Sequence, residues 1–126
     1  MRRTAFGKPI ANLGGNRERI ADARMAIQQA RLLVLHAAWL LDTEGLLGAL
    51  SAISQIKVVV PNTAQAVVDM AIQLHGGAGL SQDFPLGRAW TVARALRLAD
   101  GPDEVHRGVV AKLQLAPFVQ AVRDGA

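Results

Sequence analysis

Apolar residues recur at alternating three- and four-residue steps along most of the chain. This spacing is that of one face of a helix packed along a neighbour. Residues 1–15 are loop-like, and Asn16 is suited to capping the helix that follows. The first series predicts a long helix ending near Asp42, with a small side chain at every second position for close packing: Ile20, Ala23, Ile27, Ala30, Val34, Ala37 and Leu41.

A second long helix is predicted after a turn at residues 42–45. Apolar side chains lie seven residues apart over its length, at Leu46, Ile53, Val60, Val67 and Leu74. Lys57 interrupts the series, and we expect it to extend its ammonium to solvent rather than to act in catalysis. Pro61 lies inside the helix, where we expect a kink or a break. The helix should end at Gly76-Gly77, because glycine readily adopts the left-handed cap conformation.

Two shorter helices follow. Pro85 suits the start of the third, which should end at Asp100-Gly101-Pro102. Pro102 suits the first turn of the fourth, and Pro117 should disturb its end. No stretch alternates as a half-buried strand does. The predicted fold is therefore all-α, an antiparallel up-down four-helix bundle in which residues 1–126 form a single helical domain.

Composition narrows the class of protein. Hydrophobic residues make up 51% of the chain and charged residues 19%, which indicates a globular domain. No apolar run approaches eighteen residues, so no membrane span is expected. The basic N-terminus lacks the apolar core of a signal peptide, and the cytoplasm is the expected compartment. Cysteine is absent, which excludes disulfides and thiol chemistry.

The net charge is +4, and eleven of the fourteen basic residues are arginine. Arginine binds phosphate groups well, so a phosphorylated cofactor, a phosphorylated substrate or a nucleic acid is a possible partner. The basic residues are dispersed, and with two Trp, three Phe and no Tyr there is little to stack on bases. Nucleic acid is therefore the less favoured partner, and we expect none.

Two stretches could bind a ligand. Arg3, Phe6 and Lys8 surround a glycine and could hold a phosphate and cover a ring, although a flexible tail has the same composition. Gln73 precedes Gly76 and Gly77, and bare glycines let a ligand approach the backbone. A helix cap and turn explain the same glycines. They form neither a Rossmann fingerprint nor a P-loop, because no strand precedes them and no Gly-Lys-Ser/Thr follows.

A third stretch could supply a base. Asp100 stands at a helix end before Gly-Pro, on a rigid turn, and an aspartate that faces an apolar pocket can act as a general base. The alternative is that Asp100, Asp103 and Glu104 are all solvated. The three histidines have no metal-ligand spacing, and His36 is expected to be packed or hydrogen-bonded inside the first helix.

The order and spacing of three motifs are similar to those of a known family. RTAFGKP, AIQLHGGAGLSQDFPL and ARALRLADGPDEVHR follow one another. Together they resemble the C-terminal helical domain of FAD-dependent acyl-CoA dehydrogenases, in the branch whose acid motif is Ala-Asp-Gly-Pro-Asp-Glu-Val-His. The resemblance covers residues 2–116.

This resemblance implies a role for each candidate residue. Arg3 matches the arginine that contacts the FAD pyrophosphate, and Phe6 the aromatic residue beside it. Gln73, Gly76 and Gly77 match the turn that meets the adenosine half of FAD, in this family the FAD of a neighbouring subunit. A homodimer or tetramer is implied. Asp100 matches the carboxylate that removes the proton alpha to the acyl-CoA carbonyl while a hydride passes from the beta carbon to the flavin.

The sequence departs from the common family pattern in several places. Aspartate replaces the commoner glutamate base, although this branch carries it normally. Pro102 and Glu104 stand where a Thr and a Gln touch FAD, and Gly14 stands where a flavin-contacting Gln is frequent, so those contacts are not carried over. Family members also have an N-terminal helical domain and a middle β domain that this sequence lacks. We therefore expect the chain to be inactive alone and to act with further copies of itself or with a chain that supplies the missing domains. The alternative is a non-catalytic helical interaction module or subunit fragment.

Overall fold

The computed structural model describes residues 3–125, which are helical apart from a short N-terminal hairpin. The elements in chain order are strand β1 (Thr4–Ala5), strand β2 (Lys8–Pro9), a 3-10 turn (Ile10–Asn12), helix α1 (Asn16–His75), a 3-10 turn (Gly76–Leu80), helix α2 (Leu86–Leu96) and helix α3 (Asp103–Arg123). The all-α class is confirmed. The hairpin lies in a region predicted to be loop, because strands of two residues are too short to show an alternating pattern.

The hairpin turns at Phe6 and Gly7. Both have positive φ angles, 52° and 74°, as the two central residues of a type I′ turn require. The strands pair antiparallel, with Ala5 opposite Lys8. The Ile10 N–H donates to the Arg3 carbonyl at 2.9 Å, which extends the pairing by one bond. The turn thus holds Arg3 at a defined point beside the start of α1.

The start of α1 differs by one residue from the prediction. Gly15 occupies the cap position, and Asn16 is the first helical residue. The Asn16 side-chain amide donates back to the Ile10 carbonyl at 2.8 Å instead of capping the helix. Asn16 therefore fixes the preceding 3-10 turn against the helix.

Helix α1 reverses direction at Gly45, which has φ 74° and ψ −175°. Residues 16–44 and 46–75 then lie side by side, because both line one groove between them. A single residue makes the turn that we predicted over residues 42–45. The predicted bundle of four separate helices is not confirmed, since the described residues form three helices, the first of them folded back on itself.

Neither internal proline ends its helix. Pro61 lies buried within α1, where Gly45 is the residue that leaves helical backbone angles, so a break at Pro61 was a wrong prediction. Pro117 lies within α3, which continues to Arg123. A proline removes the hydrogen bond to the carbonyl four residues earlier. For Pro117 that carbonyl belongs to Leu113, a residue exposed enough for water to replace the lost bond.

Small side chains form the buried core. Its apolar members are Ala30, Ala37, Ala49, Ala52, Leu74 and Ala93. The predicted close packing at small positions is thus confirmed at Ala30 and Ala37, whereas the larger alternate residues Ile27, Val34 and Leu41 stay 39–44% exposed. Alanine contacts bring the helix backbones together but leave the larger apolar side chains at the outer surface.

One window of eighteen residues within Asn16–Leu80 has a mean hydropathy of 1.3, which by length and composition suffices for a membrane-crossing helix. Core helices of soluble proteins satisfy the same criterion. In this fold α1 reverses at Gly45 and packs against α2 and α3. The expectation that no segment spans a membrane stays a prediction.

Replacing Gly45 by alanine should destabilise the fold by about 1–3 kcal/mol, because its backbone region is open almost only to glycine. A Cβ there would meet no atom within 4 Å, so the cost would be conformational rather than steric. Gly108 is the matched control, since it lies inside α3 with equally open surroundings. Gly108→Ala should stabilise by about 0.5–1 kcal/mol. Urea unfolding followed by circular dichroism measures both, and stabilisation by Gly45→Ala would contradict the assignment of Gly45 as the turn.

Candidate functional site

Arg3 and the Gly76-Gly77 turn, which are far apart in sequence, lie together in space. The Arg3 guanidinium donates from Nη1 to the Leu74 carbonyl at 2.9 Å, one of the unpaired carbonyls at the end of α1. Arg3 lines a groove of about 520 Å³ together with His75, Gly77, Ala78 and Phe84. Three of the predicted cofactor residues, Arg3, Gly76 and Gly77, are thus neighbours.

Glycine is required at position 76 for two reasons. Its φ of 62° and ψ of −148° are unfavourable for residues with a side chain. A Cβ at this position would also lie 2.6 Å from Arg3 Nη1. The prediction that Gly76 ends the second long helix with a positive φ is confirmed, and Gly76 leaves the space that the guanidinium occupies.

His75 and Phe84 form one wall of this groove and were not among the predicted site residues. His75 Nδ1 donates to the Ala71 carbonyl at 2.7 Å, which fixes the tautomer and leaves Nε2 as an acceptor. The two rings are 4.9 Å apart and tilted by 57°. The neighbouring glycines indicated a site at this turn, but no spacing in the sequence predicted that the Phe84 ring would contact the His75 ring.

Two other predicted cofactor residues lie elsewhere. Phe6 is at the hairpin tip with 94% of its surface exposed, and it does not line the Arg3 groove. Gln73 lines a different groove of about 670 Å³ between the two arms of α1, beside Arg19 and Met70. The described chain therefore brings together only part of the predicted cofactor set.

Asp100 lies on the turn between α2 and α3. Asp100 and Gly101 have φ angles of 52° and 97°, and the left-handed region is one that aspartate tolerates better than most residues. His106 Nε2 lies 3.2 Å from the Asp100 carbonyl oxygen. The Asp100 side chain is exposed, so this chain alone does not provide the apolar pocket on which its predicted role depends.

Asp103 is buried, with 3% of its surface exposed, and the alternative in which all three acids are solvated was wrong for this residue. Its Oδ2 accepts a hydrogen bond of 2.9 Å from Asn62 Nδ2 and another of 2.9 Å from Arg97 Nε. Arg97 Nη1 also donates to Gln65 Oε1 at 2.9 Å. We call Asn62, Gln65, Arg97 and Asp103 the Asp103 network. Sequence periodicity had no signal for this network, because its members lie on three different elements.

The hydrogen bond from Asn62 holds the pKa of Asp103 below its ordinary value of 3.8. Burial opposes this by favouring the neutral acid, while Arg97 and, 3.7 Å away, Arg107 favour the carboxylate. The Asp103 Oδ1 atom is buried without a hydrogen-bond partner among residues 3–125. The network thus depends on an ionised Asp103.

Lys57 holds the other side of the same turn. Its Nζ donates to the carbonyl oxygens of Leu96 at 2.9 Å and Ala99 at 2.5 Å. The Leu96 carbonyl ends α2, where a cation interacts favourably with the helix dipole, and the Ala99 carbonyl belongs to the turn that follows. The Lys57 ammonium lies at an exposed position, as expected, and caps α2 there, which its own helix did not indicate.

The structure also differs from the prediction for His36. His36 is exposed and stacks on Trp39 at 6.0 Å rather than packing in the core. Within residues 3–125 no group of three or more His, Cys, Asp or Glu side chains could hold a metal ion.

Comparison with known proteins gives consistent matches. A model of the acyl-CoA dehydrogenase C-terminal domain matches residues 1–115. Acyl-CoA dehydrogenase family member 10 of Mus musculus is 55% identical over 115 residues, which cover 91% of this chain and 11% of that protein. The probable acyl-CoA dehydrogenase FadE2 of Mycobacterium tuberculosis is 46% identical over 114 residues, which cover 90% of this chain and 28% of that protein.

Solved structures agree with these matches. A candidate acyl-CoA dehydrogenase from Mycobacterium abscessus superposes with a TM-score of 0.90 and 76% identity, over 93% of this chain and 29% of its own. A chain in a structure of the electron transferring flavoprotein of Acidaminococcus fermentans gives a TM-score of 0.82 at 31% identity, over 90% of this chain and 29% of its own. This chain therefore spans 11–29% of the length of the proteins compared here.

The Asp103 network predicts a specific pH dependence. Because the pKa of Asp103 is lower when folded than when unfolded, its contribution to stability is complete above the unfolded pKa and is lost as the pH falls through the folded pKa. Asp103→Asn should therefore destabilise the protein by about 1–3 kcal/mol at pH 7, and the difference from the wild type should shrink below about pH 4.

Urea unfolding at a series of pH values measures this difference. Asp124→Asn is the matched control, because it makes the same chemical change at an exposed position at the end of α3. A stability difference for Asp103→Asn that does not change between pH 7 and pH 2.5 would show that its charge does not stabilise the fold.

Proposed function

This chain belongs to the acyl-CoA dehydrogenase family, whose C-terminal domain model matches residues 1–115, and we propose that it supplies part of an FAD site and the catalytic base of such an enzyme. The reaction would be the alpha,beta-dehydrogenation of an acyl-CoA thioester, as in fatty acid beta-oxidation. The observation that carries the proposal is the convergence of Arg3 with the Gly76-Gly77 turn in one groove.

The groove has the chemistry that a dinucleotide needs. One Arg3 nitrogen donates to the Leu74 carbonyl, which leaves further N–H groups of the planar guanidinium for a pyrophosphate. The bare backbone of Gly77, where a Cβ would meet no atom within 4 Å, allows close approach, while the space at Gly76 admits the Arg3 guanidinium. The groove wall of His75 and Phe84 is aromatic and suits a ring. These residues fit the pyrophosphate and adenosine end of FAD, and Phe6 and Gln73 are proposed to reach it from outside this groove.

Asp100 is the proposed base. FAD, when bound, would accept the hydride from the beta carbon of the substrate. Asp100 would take the proton from the alpha carbon, a weak acid whose removal needs an oriented carboxylate in a dry setting. Since the Asp100 side chain is exposed on this chain, we propose that the rest of the enzyme and the acyl-CoA itself cover it.

Assembly with other chains or domains is the second part of the proposal. Large apolar side chains on both sides of Gly45 in the sequence remain more than half exposed: Leu35, Trp39, Leu46 and Leu47. Exposed apolar patches of this kind are typical of interfaces. We propose that a second copy of the chain, or domains with which it acts, covers this surface in the cytoplasm, and that the chain is inactive by itself.

A non-catalytic assembly module is the alternative function. The same exposed apolar surface favours it, because an interface would be kept even if the chemistry were lost. The two functions differ in what Arg3 and Asp100 do, since neither residue would affect assembly in a pure interaction module.

Arg3→Ala should weaken FAD binding by the competent enzyme at least about tenfold, because it removes a charge-assisted contact worth about 1.5–3 kcal/mol. Equilibrium titration of the apoenzyme with FAD, followed by flavin fluorescence, measures the affinity. Arg24→Ala is the control, since Arg24 is exposed in the first arm of α1 and does not line the groove. Equal FAD affinity in the two variants would remove the support for this cofactor site.

Asp100→Asn should lower kcat by about 10²–10⁴-fold while FAD affinity stays unchanged, because it removes the proton acceptor but not the cofactor contacts. Dye reduction with acyl-CoA thioesters measures kcat, and Asp124→Asn is the control. The 126-residue chain alone with FAD should reduce no dye. Activity in the isolated chain, or full activity in Asp100→Asn, would refute the proposed division of roles.

A further inference from the structure

We propose that Lys57 and Asp103 are positioning residues that together hold the turn carrying Asp100 against the second arm of α1. This inference rests on the proposed function, because it takes Asp100 as the base. It goes beyond the proposed function by assigning roles to two residues that the proposed function does not use. Both act on the backbone on either side of Asp100.

Lys57 acts on the side that precedes Asp100. The Nζ of Lys57 binds the carbonyl oxygens of Leu96 and Ala99, and Ala99 is bonded directly to Asp100. The Leu96 carbonyl lies at the end of α2, where backbone acceptors lack helical partners, and the Ala99 carbonyl lies in the following turn. One ammonium therefore joins the last turn of α2 to the middle of α1 and fixes the peptide immediately before the base.

Asp103 acts on the side that follows. Its backbone N–H donates to the Arg97 carbonyl at 3.1 Å, and its carboxylate accepts from Arg97 Nε at 2.9 Å. These two bonds close the loop of residues 97–103 on itself. Asn62 then ties the closed loop to α1, because its side-chain nitrogen donates both to Asp103 Oδ2 and to the Val58 carbonyl.

The backbone of Asp100 needs such restraints. A φ of 52° costs a residue with a side chain about 1–3 kcal/mol and persists only where surrounding contacts determine it. The Asp100 side chain is exposed and has no hydrogen bond of its own among the described contacts. Its direction is therefore set by the backbone. Lys57 and Asp103 restrain that backbone on either side of Asp100, and His106 Nε2 lies 3.2 Å from the Asp100 carbonyl oxygen itself.

Amide hydrogen exchange tests the positioning without reference to catalysis. Asp103→Asn and Lys57→Met should each speed exchange of the Leu98, Ala99 and Asp103 amides at least tenfold, with no change at the amides of residues 20–40. Lys57→Met keeps the aliphatic stem and removes both capping bonds, so it decides the question if Asp103→Asn does not fold. Asp124→Asn is the control and should leave the amides of residues 97–103 unchanged, because within residues 3–125 its side chain hydrogen-bonds only to Gln120 at the end of α3. Unchanged exchange in the turn would overturn the inference.

Kinetics of the same variants in the competent enzyme give the second measurement. Both should lower kcat by about 10- to 100-fold, because a misplacement of about 1 Å has this effect. KM for acyl-CoA and the affinity for FAD should stay within twofold, which a general loss of structure would not allow. Faster exchange with an unchanged kcat would overturn positioning and leave the proposed function intact. Full activity in Asp100→Asn would instead show that Asp100 is not the base, and the inference would then fail together with the proposed function.

Discussion

Residues 46–75 of α1 provide the support to which both candidate functional elements are attached. At the end of this arm, the Leu74 carbonyl holds the Arg3 guanidinium beside the Gly76 turn. In its middle, Lys57 and Asn62 hold the two sides of the Asp100 turn. Since a helix is stiff along its axis, the separation between the proposed cofactor contact and the proposed base follows from the rise between Asn62 and Leu74. Both attachments therefore depend on this arm remaining helical through Pro61.

Alanine packing explains how so small a chain keeps this arm in place while exposing much apolar surface. Ala30 and Ala37 from the first arm and Ala49 and Ala52 from the second are buried, which brings the two backbones close together after the reversal at Gly45. The large side chains beside them point outward, where they can contribute to an interface. Small residues therefore hold the helices together, and large residues stay exposed and available for the proposed contacts with other domains or chains.

Local patterns in the sequence predicted most of the helices but fewer of the contacts in the candidate site. The heptad spacing placed both arms of α1. Gly76 marked the end of α1, and Pro85 and Pro102 marked the starts of α2 and α3, to within a residue. The predicted end of α2 at Asp100-Gly101-Pro102 was wrong, because the helix ends at Leu96 and passes into hydrogen-bonded turns over residues 97–99. A kink or a break was predicted at Pro61 and a disturbed helix end at Pro117, but both helices continue through these residues. Local propensity does not report whether packing or solvent can compensate for one lost hydrogen bond.

The site depended on contacts between residues distant in sequence, which periodicity does not encode. The motifs predicted that Arg3 and the Gly76-Gly77 turn would act together, and the structure places them in contact. The burial of Asp103 could not be read from its position at a helix start, where acids are usually solvated. It arises because Asn62 and Arg97, 41 and 6 residues away, reach the same carboxylate oxygen. The prediction for Lys57 likewise used only its position on its own helix, which does not show that the end of α2 lies within reach of its ammonium.

The most direct test is a crystal structure of the competent enzyme with FAD and a non-reactive acyl-CoA analogue bound. The account predicts that Arg3 contacts the FAD pyrophosphate beside Gly76, and that an Asp100 carboxylate oxygen lies about 3–3.5 Å from the alpha carbon of the thioester. FAD bound away from the Arg3 groove, or an Asp100 side chain directed away from the thioester in the closed complex, would contradict it.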